Sequence, residues 1–315
     1  MIRFFAAASI DGTTVLHDPA VGSNHLPPQP VPFGRVALDE RQVAAWPEAD
    51  PAQLRPSAPL SMCWSPIVRC NLSCPHCLDD KTVRESTGTE RQALAGHIAA
   101  SGVLGVDISG GEPLLLGDLP HLARAIRDHG RSVVSCTTNG WHLARRAEEL
   151  AGAVDGVRVS LDGATEATHD TWRGEGSFQR AVTGIRAAVQ AGLRVQLQMV
   201  LMRSTHHEAQ ALLELAARLG VGGVTFLQML PIGEGASIAA EQTLTDDQAR
   251  DTYRSLDVPE GVRVRLRTRG SADGFTVLRA DGYAWRNTGG ATAITAFIPV
   301  TGPQDLRLPV VRSAS

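Results

Sequence analysis

The chain has few aromatic residues, no excess of either charge and no long apolar run. Only 4% of its 315 residues are aromatic, and 30 Lys and Arg residues stand against 33 Asp and Glu residues, a formal net charge of −3. This balance gives no electrostatic reason to expect nucleic acid or a membrane as a partner. No stretch approaches the length needed to cross a bilayer, and no cleavage-type segment follows the short apolar run Phe4 to Ala8.

Cysteine is also scarce, and its placement is uneven. The chain has five cysteines, an odd number, and three of them fall within eight residues. This is too close for an ordinary disulfide framework, so we expect a reducing compartment, the cytoplasm.

The three clustered cysteines are Cys70, Cys74 and Cys77, with the spacing Cys-x3-Cys-x2-Cys. A 4Fe-4S cluster takes one thiolate on each iron, so three cysteines leave one iron free for a ligand from elsewhere. The alternative is a structural zinc site, which needs four Cys or His ligands. His76 is the only nearby candidate, and it is adjacent to Cys77, so both side chains cannot easily converge on one metal. The spacing therefore favours a cluster.

Segments with strand character alternate with segments of helical period from residue 61 onward. In one predicted helix, for example, Leu119, Leu122 and Ile126 share a face. Such alternation predicts a parallel sheet covered by crossover helices, with function in the loops at the C-terminal ends of the strands. The six predicted strands are Ser61 to Val68, Gly105 to Ser109, Ser132 to Thr137, Gly156 to Leu161, Arg194 to Leu201 and Gly223 to Leu227.

Polar motifs follow these strands. After the second strand, Gly110 and Gly111 let the backbone approach a ligand closely, and Glu112 offers a carboxylate to an ammonium group. The turns Thr137 to Gly140 and Ser160 to Gly163 end the third and fourth strands. Each motif alone is also compatible with an ordinary turn.

Two glutamines on the fifth strand, Gln196 and Gln198, lie two residues apart and therefore share a face. Their apolar neighbours predict that both side chains point into the barrel, although a solvent-facing edge is the alternative.

The cysteine spacing together with these turns resembles the radical S-adenosylmethionine (SAM) enzymes. The resemblance implies an α/β fold, a partial (β/α)6 barrel, in which Cys70, Cys74 and Cys77 bind one 4Fe-4S cluster and SAM chelates its free iron. In that family an electron from the cluster cleaves SAM to a 5'-deoxyadenosyl radical, which removes a hydrogen atom from the substrate. An electron donor of the flavodoxin or ferredoxin type is implied. The SAM contacts that the resemblance implies are His76, Gly110, Gly111, Glu112, Thr138, Asn139, Ser160, Asp162, Gln196 and Gln198.

Two further segments, His169 to Phe178 and Pro231 to Gly235, resemble the SPASM/Twitch group of this family, many of whose members modify peptides. Glu234 stands where that group commonly has arginine. The group binds auxiliary clusters through C-terminal cysteines, but no cysteine follows Cys136 here. We expect an N-terminal hairpin and proline-rich extension at residues 1–59, a radical SAM core at 60–235 and a degenerate Twitch/SPASM-like α+β extension at 236–315.

The missing auxiliary cluster favours a redox-neutral reaction, such as epimerisation or rearrangement of a peptide or small natural product. Oxidative peptide crosslinking or dehydrogenation is one alternative, and a catalytically inactive SAM-fold binding module is another. Epimerisation needs a second hydrogen donor, for which Cys63 and Cys136 are candidates, with core packing the alternative for both. If Cys136 points inward, Ser135 and Thr137 must point outward.

Overall fold

The computed structural model describes residues 1–50, 53–272, 275–287 and 296–308. This part of the chain contains a four-stranded sheet and a ten-stranded sheet. Within the same ranges, every helix is too short or too polar to cross a membrane.

The four-stranded sheet is antiparallel and N-terminal. Strands β1 (Ile2–Ile10) and β2 (Thr13–Asp18) form the predicted hairpin, whose turn places Asp11 and Gly12 in left-handed backbone, with φ of 48° and 80°. Strands β3 (Ser23–His25) and β4 (Gly34–Asp39) complete the order β3-β2-β1-β4, and helix α1 (Glu40–Ala44) follows.

The proline-rich sequence hid β3 and β4 from the sequence analysis. Residues 27–32, which hold four prolines, lie in the connection between these strands. Proline removes a ladder donor only where it sits within a strand, so prolines in a connection do not interrupt the sheet. A small core of Phe5, Ala7, Leu16 and Val43 packs beneath the sheet.

The ten-stranded sheet is the predicted parallel sheet, extended at both edges. Its strands are β5 (Ser61–Trp64), β6 (Gly105–Ile108), β7 (Val133–Thr138), β8 (Gly156–Ser160), β9 (Val195–Leu201), β10 (Gly223–Gln228), β11 (Arg263–Arg267), β12 (Thr276–Leu278), β13 (Tyr283–Arg286) and β14 (Ile298–Pro299). The order is β11-β10-β9-β8-β7-β6-β5-β12-β13-β14, and β12 together with β5 to β11 are all parallel. The sheet is open, and it is therefore a partial barrel.

Helices cover the outer face of this sheet because each buries one apolar stripe against it. Leu119, Leu122 and Ile126 are all buried, as predicted, and that helix ends at Gly130. The helices after α1 are α2 (Gly88–Ser101), α3 (Leu119–His129), α4 (Leu143–Ala151), α5 (Glu166–Arg173), α6 (Ser177–Gln190), α7 (Ala209–Arg218), α8 (Ala239–Gln242) and α9 (Asp246–Arg254).

Two details of the sheet differ from the prediction. Strand β5 ends at Trp64 rather than Val68, so the loop that carries the cysteines is longer than expected. Strand β11 was not predicted, because arginines alternate along it in the pattern of a solvent-exposed strand. These arginines face the barrel interior instead.

The segment from His17 to Gly22 connects the two sheets by covering the N-terminal end of the barrel. The buried carboxylate of Asp18 pairs with Arg194 at 3.0 Å and with Arg263 at 2.6 Å. Gly105, which begins β6, makes room for this segment, since a Cβ there would lie 2.1 Å from His17 Nε2. Burial alone would raise the pKa of Asp18, but Arg194 and Arg263 lower it below its usual range.

Asp18 pairs with two arginines, of which Arg194 also pairs with Glu40, so we expect Asp18→Asn to leave Arg263 without its counter-charge. The expected cost is about 3 kcal/mol in the free energy of unfolding. Thermal unfolding followed by circular dichroism would show a Tm lower by roughly 5–10 °C. The matched control is Asp257→Asn, at an exposed position, and equal Tm values for the two variants would contradict the bridging role.

Candidate active site

A cavity of about 340 Å³ lies against the interior face of the barrel. All three clustered cysteines line it. So do seven of the ten predicted SAM contacts, namely His76, Gly110, Gly111, Thr138, Asn139, Ser160 and Gln198. The structure thus brings together motifs from five different strands, β5 to β9, at one place.

The cysteine loop has no regular secondary structure and is held by its neighbours. The carboxylate of Glu85 accepts the N–H groups of Val68 and Arg69 at 3.0 and 2.9 Å. On the other side, Cys77 O accepts the N–H of Glu234 at 3.0 Å, and a Cβ on Gly233 would lie 2.7 Å from the same oxygen. The loop after β10 therefore fixes the last cysteine.

The three thiols fit an iron-sulfur cluster in chemistry and in placement. They share one cavity, burial raises the pKa of each, and every one of them also feels the charge of another of the three. Cys70 Sγ accepts the N–H of Leu72 at 3.4 Å and a weak bond from Asn139 Nδ2 at 3.8 Å, which would favour a thiolate. Among the described residues, no three His, Cys, Asp or Glu side chains are grouped to hold a single metal ion.

The two glycines of the Gly110-Gly111 turn lie directly against the cysteine loop. A Cβ on Gly110 would stand 2.4 Å from Ile67 O, and one on Gly111 would stand 2.3 Å from Arg69 O. The N–H of Gly111 donates to Ile67 O at 2.8 Å. The sequence analysis assigned these glycines to a ligand, and the structure shows that they also pack against the loop that bears the thiols.

Glu112, the predicted acceptor for the ammonium group of SAM, lies behind the cavity wall. Its side chain is fully buried and does not line the cavity. The carboxylate accepts the Thr138 hydroxyl at 2.7 Å, the Asn139 N–H at 2.8 Å and the Leu114 N–H at 3.0 Å. Burial raises the pKa of Glu112, although these donors oppose it. Glu112 is thus a positioning residue that fixes the turn after β7.

Asp162, another predicted SAM contact, also does not line the cavity. The buried carboxylate pairs with Arg173 at 2.6 Å and His76 at 3.0 Å, and accepts the Val200 N–H at 2.8 Å. Burial alone would raise the pKa of Asp162, but Arg173 and His76 hold it well below its usual range. Asp162 therefore fixes the ring of His76, which does line the cavity.

The segment His169 to Phe178 holds Asp162 and Arg173 in place. The Asp162 N–H donates to His169 Nδ1 at 3.1 Å, and burial lowers the pKa of His169 to about 4, which keeps its ring neutral. Asp170 accepts the N–H of Gly176 at 2.6 Å and of Phe178 at 2.8 Å, and so fixes the start of α6. This motif acts on the site through Asp162 and Arg173.

The glutamines and the two candidate hydrogen donors divide between the interior and the core. Gln198 lines the cavity, whereas Gln196 is buried near the N-terminal end of β9 and does not. Cys136 is fully buried in the main hydrophobic core, so the prediction that it faces the barrel interior is wrong. Cys63 does line the cavity, with Sγ 2.7 Å from Ser109 Oγ. Burial and the charge of Asp107 raise the pKa of Cys63 to about 12.

The alternation of side chains along β7 explains why Cys136 points into the core. Ser135 and Thr137 line the cavity and donate to Asp107 at 2.7 and 2.6 Å. Successive side chains of a strand point to opposite faces, so Cys136 must point toward the helices. Arg158 completes this interior network by donating to Asp107 and to Ser135 Oγ.

Sequence reasoning missed Asp107 and Arg158. The available signal was a charged residue in the middle of each buried apolar strand, in Gly105–Ile108 and in Gly156–Ser160. Buried charges are costly unless they are paired, so two such strands predict an interior ion pair.

A model of the radical SAM superfamily matches residues 64–216. The chain therefore contains a radical SAM domain, which spans 153 of its 315 residues. Members of this superfamily bind a 4Fe-4S cluster and SAM, which agrees with the thiols and polar turns that line the cavity.

Among curated radical SAM proteins, the chain is similar to the probable GTP 3',8-cyclase of Metallosphaera sedula, with 32% identity over 53% of this chain and 55% of the relative. It is 28% identical to the AdoMet-dependent heme synthase of Methanosarcina barkeri, over 71% of this chain and 65% of the relative. For the mycofactocin maturase MftC of Mycobacterium tuberculosis the identity is 30%, over 66% and 54%. The chain thus spans between about half and two thirds of the length of these relatives.

Solved radical SAM structures share the fold. Streptococcus suis SuiB bound to S-adenosylmethionine aligns with a TM-score of 0.59 and 14% identity, over 89% of this chain and 80% of that one. The anSMEcpe structure with bound AdoMet and the Kp18Cys peptide aligns with a TM-score of 0.58 and 16% identity, over 79% and 80%. At these identities the likeness shows the fold, and it agrees with a partial barrel.

We expect Glu112→Gln to destabilise the protein by weakening the hydrogen bonds that hold the turn after β7. A glutamine amide turns one of the two acceptor oxygens into a donor, which leaves a buried N–H or hydroxyl without a partner. The expected cost is about 1–3 kcal/mol in the free energy of unfolding. Chemical denaturation would measure it against Glu148→Gln, an exposed control on α4. A Glu112 variant as stable as the control would show that the three hydrogen bonds contribute nothing.

Proposed function

We propose that this radical SAM chain cleaves SAM at a single 4Fe-4S cluster and removes a hydrogen atom from a peptide or small natural product, with a redox-neutral outcome such as epimerisation or rearrangement. The observation that carries the proposal is the cavity shared by three thiols, the Gly110-Gly111 turn and Cys63. When bound, the cluster and SAM supply an electron and a 5'-deoxyadenosyl radical, and an external donor of the flavodoxin or ferredoxin type supplies that electron.

In this proposal the chain's own residues bind and orient. Cys70, Cys74 and Cys77 hold three irons and leave the fourth open. The backbone of Gly110 and Gly111, with the polar groups of Thr138, Asn139, Ser160 and Gln198, is available to the polar groups of SAM. The ring of His76 is held by Asp162 at 3.0 Å, and its buried Nδ1 has no hydrogen-bond partner among the described residues. A fixed ring with a free nitrogen suits a flat heterocycle.

The extensions have distinct roles in this proposal. Residues 60–235 supply the catalytic core, and the N-terminal extension at 1–59 supplies His17 and Pro19 to the cavity wall. The degenerate Twitch/SPASM-like extension at 236–315 supplies β11 and the hairpin of β12 and β13, which turns at Asp281-Gly282. The extension contributes side chains to the site rather than a second cluster, because it has no cysteine to bind one.

Cys63 is the proposed hydrogen donor. A donor must keep its S–H bond, and a thiol whose pKa is raised to about 12 stays protonated at neutral pH. Ser109 beside it fixes the sulfur in the cavity wall. The chemistry also needs reduced thiols, and a reducing compartment such as the cytoplasm fits five free cysteines.

Peptide substrates are supported by the relatives. MftC is named as a maturase, and a SuiB structure is bound to the precursor peptide SuiA, with a TM-score of 0.56. Other relatives are named as acting on GTP or making heme, so a small molecule remains the second substrate class.

The first test is anaerobic reconstitution with iron and sulfide, followed by iron counting and chromatography for 5'-deoxyadenosine after SAM and reductant are added. We expect about four irons per chain, and a loss of both iron and 5'-deoxyadenosine in Cys74→Ala. Cys136→Ala is the matched control, because it removes a cysteine of the core and should keep the cluster. About eight irons would contradict a single cluster, and intact SAM would favour an inactive binding module.

The second test addresses Cys63. In D2O its thiol exchanges to S–D, so the wild type should place one deuterium on the product for each turnover. The thiyl radical left on Cys63 then takes one electron from the external flavodoxin- or ferredoxin-type donor and one deuteron from solvent, which restores the S–D group. Cys63→Ala should still cleave SAM but should return no deuterium to the substrate carbon, as mass spectrometry of the product would show. Full deuterium incorporation by the Ala variant would assign the donor to another group.

A further inference from the structure

Strand β11 places three arginines on the interior face of the barrel, because Arg263, Arg265 and Arg267 alternate along it. The first two are engaged by the N-terminal segment. Arg263 pairs with Asp18 at 2.6 Å, and Arg265 donates to Val21 O at 2.7 Å. Arg267, at the C-terminal end of the strand, lines the cavity instead.

Arg267 differs from the other arginines of the cavity wall. Arg158 pairs with Asp107, Arg173 with Asp162, and Arg279 with Asp281. The side chain of Arg267 makes no hydrogen bond or ion pair with any residue that the structure describes. Its guanidinium carbon lies 5.2 Å from the ring centroid of Phe275, which precedes β12 at the opposite edge of the open barrel.

The surroundings of Arg267 are electropositive. The charged groups that act on it are Arg265, Arg158 and Asp107, and the Asp107 carboxylate is already used by Arg158, Ser135 and Thr137. Burial and the two neighbouring arginines lower the pKa of Arg267 to about 10, so its charge persists at neutral pH.

An enclosed guanidinium without a counter-charge is costly, and the planar fork of arginine matches two oxygens of a carboxylate or a phosphate. We propose that Arg267 is the binding subsite for an oxyanion of the substrate, a carboxylate or a phosphate group. This proposal rests on the proposed function, because that function implies a substrate in the cavity. Cys63 lines the same cavity, so an anion held by Arg267 places the adjoining substrate atoms in the cavity that also contains the proposed hydrogen donor.

The test uses the full chain without cluster or SAM, so its outcome is independent of the iron and 5'-deoxyadenosine measurements. The probes are inorganic phosphate and glutarate, each at matched ionic strength, and the readout is Tm. The variants are Arg267→Gln and Arg267→Lys, and the control is Arg250→Gln on α9, whose arginine pairs with exposed Asp247.

We expect a bound probe to raise the wild-type and Arg250→Gln Tm by about 2–4 °C and to leave Arg267→Gln unshifted. Without a probe, Arg267→Gln should unfold at a temperature equal to or above that of the wild type, because the unpaired charge is gone. Arg267→Lys, which keeps the charge but not the fork, should show a smaller shift. A shift with phosphate alone assigns a phosphorylated substrate, and one with glutarate alone assigns a carboxylate.

Equal probe shifts in the wild type and in Arg267→Gln would overturn the proposal, as would no shift with either probe. If Arg267→Gln does not fold, Arg267→Lys decides by the same comparison. Wild-type SAM cleavage together with unshifted Tm values would retain the proposed function and reject the subsite.

Discussion

The close approach of two backbones is the constraint on which the site depends. Three thiols must be held in a loop that has neither helix nor strand, so the loop takes its shape from what packs against it. Gly110 and Gly111 permit that packing, since any side chain there would overlap carbonyl oxygens of the loop at 2.4 and 2.3 Å. Behind them, Glu112 ties the same turn to β7, and on the other flank Gly233 meets Cys77. The cysteines are thus positioned by the loops that follow β6 and β10, and the loop after β6 is held in turn by the end of β7. This is why the cysteines and the polar turns share one cavity.

A second layer of the design is a set of buried charges, each matched to a specific partner. Asp162 serves His76 and Arg173, Asp107 serves Arg158, and Asp18 serves Arg194 and Arg263. Such pairs add little net stability over apolar residues, but the loss of one partner is expensive, so they enforce one arrangement of the strands. Arg267 differs from these arginines, because its guanidinium has no hydrogen-bond or carboxylate partner among the described residues.

Sequence periodicity predicted the sheet and its helices because alternation of apolar strands with amphipathic helices is a local pattern. It also predicted which turns meet at the site, since the C-terminal ends of parallel strands share one edge. It did not predict where side chains at those turns point. Glu112 and Asp162 lie just beyond their strands. There, one change in backbone direction decides whether a side chain points into the cavity or packs behind its wall. The alternation of side chains along β7 decided the direction of Cys136. Strand β11 was not predicted, because the charge of its Arg263 is matched by Asp18, which is remote in sequence.

That remoteness has a consequence for how the protein is made. Asp18 and Arg263 are 245 positions apart, and Val21 and Arg265 are 244 apart. The antiparallel N-terminal sheet is built from local contacts and can form early, but the ion pair of Asp18 with Arg263 must wait for β11. At synthesis rates of about 5–20 residues per second, that wait is roughly 12 to 50 seconds. During it the floor of the barrel lacks β11 and Asp18 lacks Arg263, so completion of this end of the reaction chamber is among the last events of folding rather than the first.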